Sequence, residues 1–223
     1  MADMNILAIE AATSVISVAI ETGDTIHERV LTGPAARAEE LLRLVQEVLA
    51  AAGVGLEAVQ GVAFGRGPGA FTGLRMAAAI AQGLAYPRGW PVAPVSSLAA
   101  LAEEAPGDAI LAALDARRDE VYAGVFRRRP DGLVHLVGRE TLSSPEAVRV
   151  PEDVSVGVGS GCDHYGSRMR ACALTFVPGC VPRARAIARL AQPLFRDGLS
   201  VPAAAALPVY LRDDVADGPQ GLC

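Results

Sequence analysis

The sequence predicts an α/β protein made of two similar halves, and three observations lead to this prediction. Strand-like and helix-like segments follow one another in the order βββαβαβα, and this order occurs twice. The stretch "AILAALDARRDEVYAGVF" (109–126) resembles "NILAIEAATSVISVAI" (5–20), because each is an apolar strand that ends in a carboxylate and is followed by a turn and a second strand. Hydrophobic residues make up 51% of the 223 positions, so material for a core is plentiful.

The first half begins with three predicted strands, of which the first two form a hairpin. A helix with apolar residues at helical spacing follows, and Gly53 ends it. A buried strand then enters a glycine-rich loop, after which Thr72 is expected to cap a second helix. A short strand and a helix capped by Ser96 or Ser97 complete this half. The predicted strands are 4–10, 13–21, 25–31, 58–65 and 91–95, and the predicted helices are 36–53, 72–86 and 96–105.

The second half repeats the pattern, and a loose tail follows it around residues 207–216. Pro193 is expected to bend its last helix. A repeat of about 100 residues implies two lobes, which we expect to span 1–106 and 107–223. The predicted strands are two within 109–126 and then 133–140, 153–159 and 174–177, and the predicted helices are 144–150, 163–173 and 183–198.

The charge composition limits the chemistry that this chain can perform. The formal net charge is −5, whereas a protein that binds nucleic acid by itself normally has a basic surface. All 20 basic residues are arginine, which excludes a P-loop lysine, a Schiff-base lysine and a lysine general base. The three arginines in "FRRRP" (126–130) are expected to lie on a solvated hairpin.

Cysteine spacing and the N-terminal residues predict a cytoplasmic protein. The four cysteines, at 162, 172, 180 and 223, form no CxxC pair and match neither a zinc site nor a dense disulfide framework. We therefore expect reduced thiols. The segment "MADMN" has none of the basic and apolar character of a leader peptide, and the longest apolar run is too short to span a bilayer.

Carboxylates and glycines fall where predicted strands end, which is where open α/β sheets bind ligands. Glycine-rich turns let backbone N–H groups approach phosphate, so the pattern indicates an anionic or nucleotide-like ligand between the halves. The alternative is that these glycines only reverse the chain. The candidate cleft residues are Glu10, Thr13, Gly67, Gly69, Asp115, Gly159 and Gly161.

Four motifs resemble the TsaB (YeaZ) family: "GRGPGAFTGLR" (65–75), "ILAIEAAT" (6–13), "LDARRDEVY" (114–122) and "PVYLRDDVA" (208–216). This resemblance implies two ribonuclease-H-like lobes of the actin/Hsp70/sugar-kinase (ASKHA) superfamily. It also implies a cytoplasmic subunit of the bacterial machinery that makes threonylcarbamoyladenosine at position 37 of tRNAs decoding ANN codons. The first lobe would carry the dimerisation helices and the second the tail.

The related TsaD proteins bind a metal through two histidines, and the matching positions here hold Ser97 and Leu101. Neither side chain can replace imidazole as a ligand. The resemblance thus implies a subunit that is not an enzyme on its own, with no catalytic residue and no metal ligand. His27, His135 and His164 are scattered and expected at the surface. A glycoprotein endopeptidase is the least favoured hypothesis, because the chain has no HExxH motif.

From Met76 to Tyr86 the only strongly polar side chain is Gln82, so this helix must be covered on every side. The resemblance implies that it and the preceding helix pair with TsaD, or with a second copy when the chain is alone, and that the ATPase TsaE docks on the pair. Contact with tRNA would be indirect. The alternative is that the preceding helix alone covers it. The expected interface residues are Leu41, Val45, Val48, Thr72, Arg75, Met76, Ala78, Ala79 and Gln82.

Three positions depart from the family pattern: Glu10 replaces an aspartate, Arg37 a histidine and Ala70 a serine. An alternative function is a nucleotide-dependent phosphotransferase or ATPase, in which Glu10 and Asp115 would hold magnesium. ATP or ADP with magnesium is a cofactor only under that alternative, and otherwise no cofactor is predicted.

Overall fold

A computed structural model describes residues 4–33, 38–169 and 174–212, which form ten strands and five α-helices. The predicted order βββαβαβα is confirmed in the first half. In the second half a single 3-10 turn, Pro145–Ala147, stands where the helix 144–150 was predicted. The strands are β1 (Ile6–Glu10), β2 (Val15–Thr22), β3 (Thr25–Thr32), β4 (Gly61–Gly67), β5 (Val92–Ser96), β6 (Ala109–Arg117), β7 (Glu120–Arg128), β8 (Val134–Ser143), β9 (Val156–Val158) and β10 (Thr175–Val177). The helices are α1 (Ala38–Ala52), α2 (Phe71–Ala85), α3 (Ser97–Glu103), α4 (Ser160–Tyr165) and α5 (Ala184–Arg196).

The strands build two five-stranded sheets with the same topology. The first sheet has the order β3-β2-β1-β4-β5 and the second the order β8-β7-β6-β9-β10. In each, the first three strands are antiparallel, whereas the fourth and fifth run parallel to the first. Because the two halves share strand order and direction, the duplication inferred from the sequence is confirmed as a structural repeat.

Both faces of the central strands are buried, which explains their continuous apolar sequences. Ile6 and Ala8 of β1 face a core between the two sheets, whereas Leu7 and Ile9 face a second core under α1 and α2. In β6, Ile110 likewise faces the shared core and its neighbour faces a smaller third core on the outside of the second sheet. The largest hydrophobic cluster therefore lies between the sheets and joins the two halves.

Helices α3 and α5 fill the shared core and cross between the halves. Helix α5 follows the last strand of the second sheet but packs on β1 and β2 of the first. Helix α3 follows β5 of the first sheet and packs on β6, β7 and β8 of the second, and the two helices contact each other. The sequence division at 106/107 stays a prediction.

The helix ends differ in part from the expected caps. Ala70 rather than Thr72 is the N-cap of α2, and no side chain caps it. Ser96 is the cap of α3, because its Oγ accepts a hydrogen bond from the Ala99 N–H at 3.1 Å. Gly53 ends α1 with a left-handed φ of 68°. The last part of the predicted helix 163–173 lies outside the described residues, and the described part ends as α4 and a 3-10 turn, Gly166–Arg168.

Two of the four cysteines fall within the described residues. Cys162 is buried, Cys180 is half-buried, and both are free thiols. Cys172 and Cys223 lie outside the described ranges. None of the helices in the part of the chain that the structure describes is long and apolar enough to cross a bilayer.

The shared core makes a direct prediction for stability. Phe126 of β7 is fully buried there, and Phe126→Ala should lower the free energy of unfolding by about 3 to 5 kcal/mol. Leu207→Ala is the control, because Leu207 is 62% exposed, and it should change the free energy by less than about 0.5 kcal/mol. Denaturant unfolding measures both, and equal effects would contradict a core shared by the two sheets.

Candidate functional site

A cleft of about 730 Å³ opens where β1 and β6 end. Three of the seven predicted cleft residues, Thr13, Gly69 and Asp115, line it. One wall comes from the β1–β2 turn and the start of α2, and the other from the β6–β7 turn and the start of α4. The structure thus places this cleft between the halves, at the carboxyl ends of the central strands.

The glycine loop before α2 packs tightly on the β1–β2 turn. Ala70 N–H donates to the Ala12 carbonyl at 2.8 Å. A Cβ at Gly69 would overlap Ala12, and a Cβ at Gly73 would overlap the carbonyl oxygen of Ala11. These glycines are therefore required for close backbone approach, and they hold the first turn of α2 against the cleft wall.

The remaining predicted glycines serve packing rather than the cleft surface. Gly67 has a φ of 106°, and a Cβ there would lie 2.9 Å from both the Leu74 side chain and the Val209 carbonyl oxygen. Gly159, with a φ of 96°, and Gly161 both press against Ala113 of β6. Within the described residues these three glycines do not line the cleft. Close packing of the chain therefore accounts for them better than phosphate binding does.

Glu10 lies beneath the cleft rather than in it. Its side chain is fully buried, its Oε1 accepts from Ala12 N–H at 2.6 Å, and its Oε2 accepts from Ser97 Oγ at 2.9 Å. Any side chain at Gly65 would overlap its carboxylate. Burial raises the pKa of Glu10 from 4.5 to about 7, against the lowering effect of these hydrogen bonds. Glu10 thus clamps the β1–β2 turn to α3, which makes it unsuitable as the magnesium ligand of the alternative hypothesis.

Asp115 occupies the position in the second half that Glu10 has in the first. Each carboxylate accepts a hydrogen bond from the backbone N–H two residues later, from Arg117 at 2.8 Å in the case of Asp115. Unlike Glu10, Asp115 reaches the cleft, where His164 Nδ1 lies 3.5 Å from its Oδ2 and the Tyr165 hydroxyl lies 3.5 Å from its Oδ1. The repeat therefore preserves the turn but brings only the second carboxylate to the cleft.

The β6–β7 turn that carries this wall has an unusual backbone. Arg117, Arg118 and Asp119 have φ values of 63°, 53° and 63°, a region that non-glycine residues seldom adopt. Arg168 holds the turn in place through two hydrogen bonds to Asp119, at 2.7 and 3.0 Å. A turn of this kind persists only when surrounding contacts fix it, and this ion pair supplies one.

Several cleft residues were missed by the sequence predictions, among them His164, Cys180, Tyr210 and Arg212. Tyr210 and Arg212 belong to the motif 208–216, whereas His164 and Cys180 lie outside all four motifs and are brought to the cleft only by the fold. Burial raises the pKa of the Cys180 thiol, with further contributions from nearby carboxylates, which is the opposite of what a nucleophilic cysteine needs. Among the described residues there is no group of three or more His, Cys, Asp or Glu side chains that could hold a metal ion.

The predicted partner interface divides into a buried and an accessible part. Leu41, Val45, Val48 and Ala78 are buried in the core under α1 and α2, so these four predicted interface residues are already covered within the chain. The first sheet packs against that side of α1 and α2. The alternative given above was that α1 alone covers α2. The exposed positions of α2 are Phe71, Thr72, Arg75, Ala79 and Gly83, while Met76 and Gln82 are half-buried and Tyr86, the exposed C-cap, follows the helix.

The two positions that match the TsaD histidines point into the protein. Ser97 and Leu101 of α3 are both fully buried. Ser97 donates its hydroxyl proton to Glu10, and the Leu101 side chain packs against Gly159. These side chains thus belong to the interior beneath the cleft and offer no ligand to it.

Comparison with known proteins identifies the family of this chain. TsaB from Escherichia coli (strain K12), described as a tRNA threonylcarbamoyladenosine biosynthesis protein, is 36% identical over 223 aligned residues that cover 96% of each chain. The chain belongs to the TsaB family. The Haemophilus influenzae TsaB is 35% identical, again over 96% of each chain. A family model described as TsaD, tRNA N6-adenosine threonylcarbamoyltransferase, matches residues 34–156.

Solved structures show the same fold for this TsaB-family chain. The structure described as YeaZ from Pseudomonas aeruginosa has a TM-score of 0.87 and 38% identity, and the match covers 93% of this chain and all of that one. A P. aeruginosa protein described as uncharacterized with similarity to peptidase YEAZ gives a TM-score of 0.88 and 39% identity, over 94% and 100% of the chains. The two-lobed ASKHA-type fold expected from the sequence is consistent with these matches.

Two of the three residues that depart from the family pattern lie within the described part of the structure. Glu10 fills its site through the contacts described above, and Ala70 is the N-cap of α2, where it provides no side-chain hydrogen bond. Arg37 lies outside the described residues.

The burial of Glu10 predicts a pH-dependent stability. Because its pKa rises from 4.5 to about 7 on folding, the folded chain holds this proton more tightly, and raising the pH through that window should destabilise the wild-type chain. Relative to Glu10→Gln, which does not titrate, the wild type should lose about 3 kcal/mol. Urea unfolding at several pH values between 4 and 8 measures the difference, and a difference that does not vary with pH would show that Glu10 is not the titrating group.

The two glycines inside α2 provide a matched pair. Gly73→Ala should destabilise the chain by about 1 to 3 kcal/mol, because the new Cβ overlaps the Ala11 carbonyl. A Cβ at Gly83 would meet nothing within 4 Å, so Gly83→Ala should stabilise the helix by about 0.5 to 1 kcal/mol. Thermal unfolding of both variants tests this, and a neutral Gly73→Ala would mean that the loop can move away from the β1–β2 turn.

Proposed function

We propose that this chain is a non-catalytic subunit that pairs with a TsaD-family protein for threonylcarbamoyl transfer to adenosine 37 of tRNAs decoding ANN codons. The observation that carries the proposal is the accessible face of α2. Its central positions, Ala79 and Gly83, are exposed and small, and nothing in the described part of the chain covers them. Small residues let a partner helix approach closely, and a stable interface of this kind would bury on the order of 2,000 Å².

The same face supports self-pairing when the chain is alone. An isologous dimer uses one surface on both copies, so a homodimer and a heterodimer through α2 would exclude each other. Phe71 and Tyr86, which are 40% and 74% exposed, stand near the two ends of the helix. Aromatic side chains of this kind are frequent anchors at protein interfaces.

The burial of the residues beneath the cleft supports the lack of a catalytic role. Glu10, Ser97 and Leu101 are all buried beneath the cleft. Burial raises the pKa of the Cys180 thiol in the cleft, which disfavours it as a nucleophile. The chemistry of the complex would then depend on the TsaD partner, with this chain shaping the active site, and the pair would offer the ATPase TsaE a docking surface in the cytoplasm.

The ion pairs and hydrogen bonds of the basic segment 126–130 support an indirect contact with tRNA. Arg127 is paired with Asp153. Arg128 is largely covered, donates to Glu103 at 3.2 Å and also bonds three carbonyl oxygens. Two of the three guanidinium groups in the segment are thus engaged within the chain, which weakens it as a basic patch for phosphates.

The alternative, a nucleotide-dependent phosphotransferase or ATPase, is favoured by one observation. Asp115 and Thr13 face the same cleft, which has the volume for a nucleotide. Since Glu10 is occupied elsewhere, Asp115 would have to bind magnesium without it. Tight ATP binding by the chain alone, with hydrolysis that disappears in Asp115→Ala, would support this alternative.

Ala79→Glu tests the proposed pairing. Ala79 is exposed in the isolated chain, so the charge should leave the free energy of unfolding within about 0.5 kcal/mol. At a closed apolar interface the same charge would be desolvated, and binding to the TsaD of the same organism should weaken by at least about a hundredfold. Size exclusion with light scattering detects the 1:1 complex, and calorimetry gives the affinity.

Ala147→Glu is the matched control, because Ala147 is also exposed but lies on the second half, in the 3-10 turn after β8. The control should pair as the wild type does. Wild-type pairing by Ala79→Glu would exclude α2 as the interface, whereas no complex with the wild-type chain at micromolar concentrations would contradict the subunit proposal itself.

A further inference from the structure

We propose that residues 207–212 form a strap that crosses the mouth of the cleft and fixes how far the two halves open. The strap connects the first sheet to the second over only a few residues, and its Tyr210 and Arg212 belong to the cleft wall. It is anchored at both ends by specific polar contacts. Opening the cleft therefore requires one of these two anchors to break.

The first anchor joins the strap to the glycine loop and α2. Val209 N–H donates to the Arg66 carbonyl at 2.8 Å. The Tyr210 ring lies 5.4 Å from the Phe71 ring, and its hydroxyl accepts a hydrogen bond from Arg75 Nε at 3.0 Å. The Arg75 guanidinium also lies 3.8 Å from the centre of the Phe71 ring, which completes a stacked cation–aromatic cluster.

The second anchor joins the strap to the β6–β7 turn. Arg212 Nη2 donates to the Ala116 carbonyl at 3.1 Å and forms an ion pair of 2.6 Å with Glu120 Oε2. The Arg212 side chain is 20% exposed, so these contacts are partly shielded from water, and charge-assisted hydrogen bonds of this kind are the stronger ones. The anchor grips the left-handed turn on the far wall of the cleft.

Gly67 makes room for this path. Its missing side chain would otherwise lie 2.9 Å from the Val209 carbonyl oxygen. Gly67 was predicted from the sequence to lie in a phosphate-binding loop. In the structure it instead allows the strap to lie flat on β4. The alternative to the proposal is that the shared core of α3 and α5 alone fixes the cleft, with the strap following passively.

Amide hydrogen exchange of the full chain, followed residue by residue, distinguishes these two cases. Tyr210→Ala removes the side-chain contacts of the first anchor and leaves the Val209 N–H bond to the Arg66 carbonyl. The informative amides are those of Asp115 and Arg117 on the opposite wall, which donate to Ser160 and Asp115 rather than to Tyr210. Arg212→Ala breaks the second anchor, and the informative amide is that of Ala70, which donates to Ala12 on the first wall. If the strap holds the cleft, each variant should accelerate exchange on the far wall by at least about fivefold.

Tyr210→Phe keeps the stacking but removes the acceptor for Arg75, and should give a smaller acceleration. Arg149→Ala is the control, because Arg149 is exposed on the second half and takes part in neither anchor, and it should change none of these amides. Acceleration confined to the near wall, or none at all, would overturn the proposal and leave the shared core as the element that fixes the cleft. Unchanged circular dichroism and melting temperature confirm that each variant is folded.

Discussion

The first turn of α2 lies so close to the chain at Ala11 and Ala12 that only glycine fits at positions 69 and 73. This approach decides where the helix points, because the Ala70 N–H bonds the Ala12 carbonyl directly. It also decides the shape of the cleft, since the same turn is one of its walls. A helix held at its first turn keeps a fixed position beside the cleft, so this close approach and the packing of α2 on the first sheet together determine which face of the helix is accessible.

The two carboxylates of the repeat show how burial can separate equivalent positions. Glu10 and Asp115 keep the same hydrogen bond to the backbone two residues on. Glu10 is longer by one methylene, reaches Ser97 and loses all contact with water, so desolvation dominates its proton affinity. Asp115 stays at the cleft beside His164. The duplication thus conserved a turn, whereas the chemistry of the two sites diverged.

The fold could be predicted from the sequence because the repeat, the apolar strands and the glycine breaks act locally. The helix 144–150 was over-predicted, since a segment with Pro145 at its start formed only one 3-10 turn. The site could be predicted only in part. Which side of α2 is buried depends on the sheet beneath it, and apolar residues all round the helix give no direction. His164 and Cys180 join Asp115 and Arg212 in the cleft only through the tertiary structure, so the spacing of residues along the chain does not group them.

The crossing of α5 onto the first sheet has a consequence for how such a protein could arise. The inner face of the first sheet is covered largely by α5, which follows the second sheet, while α3 of the first half packs on β6 and β7 of the second. A single ancestral repeat would have exposed that apolar face to water. Such a repeat would have been stable only as a pair that exchanged its last helix, as in a domain-swapped dimer. Within one chain this exchange is intramolecular, so each half keeps its partner helix at any protein concentration.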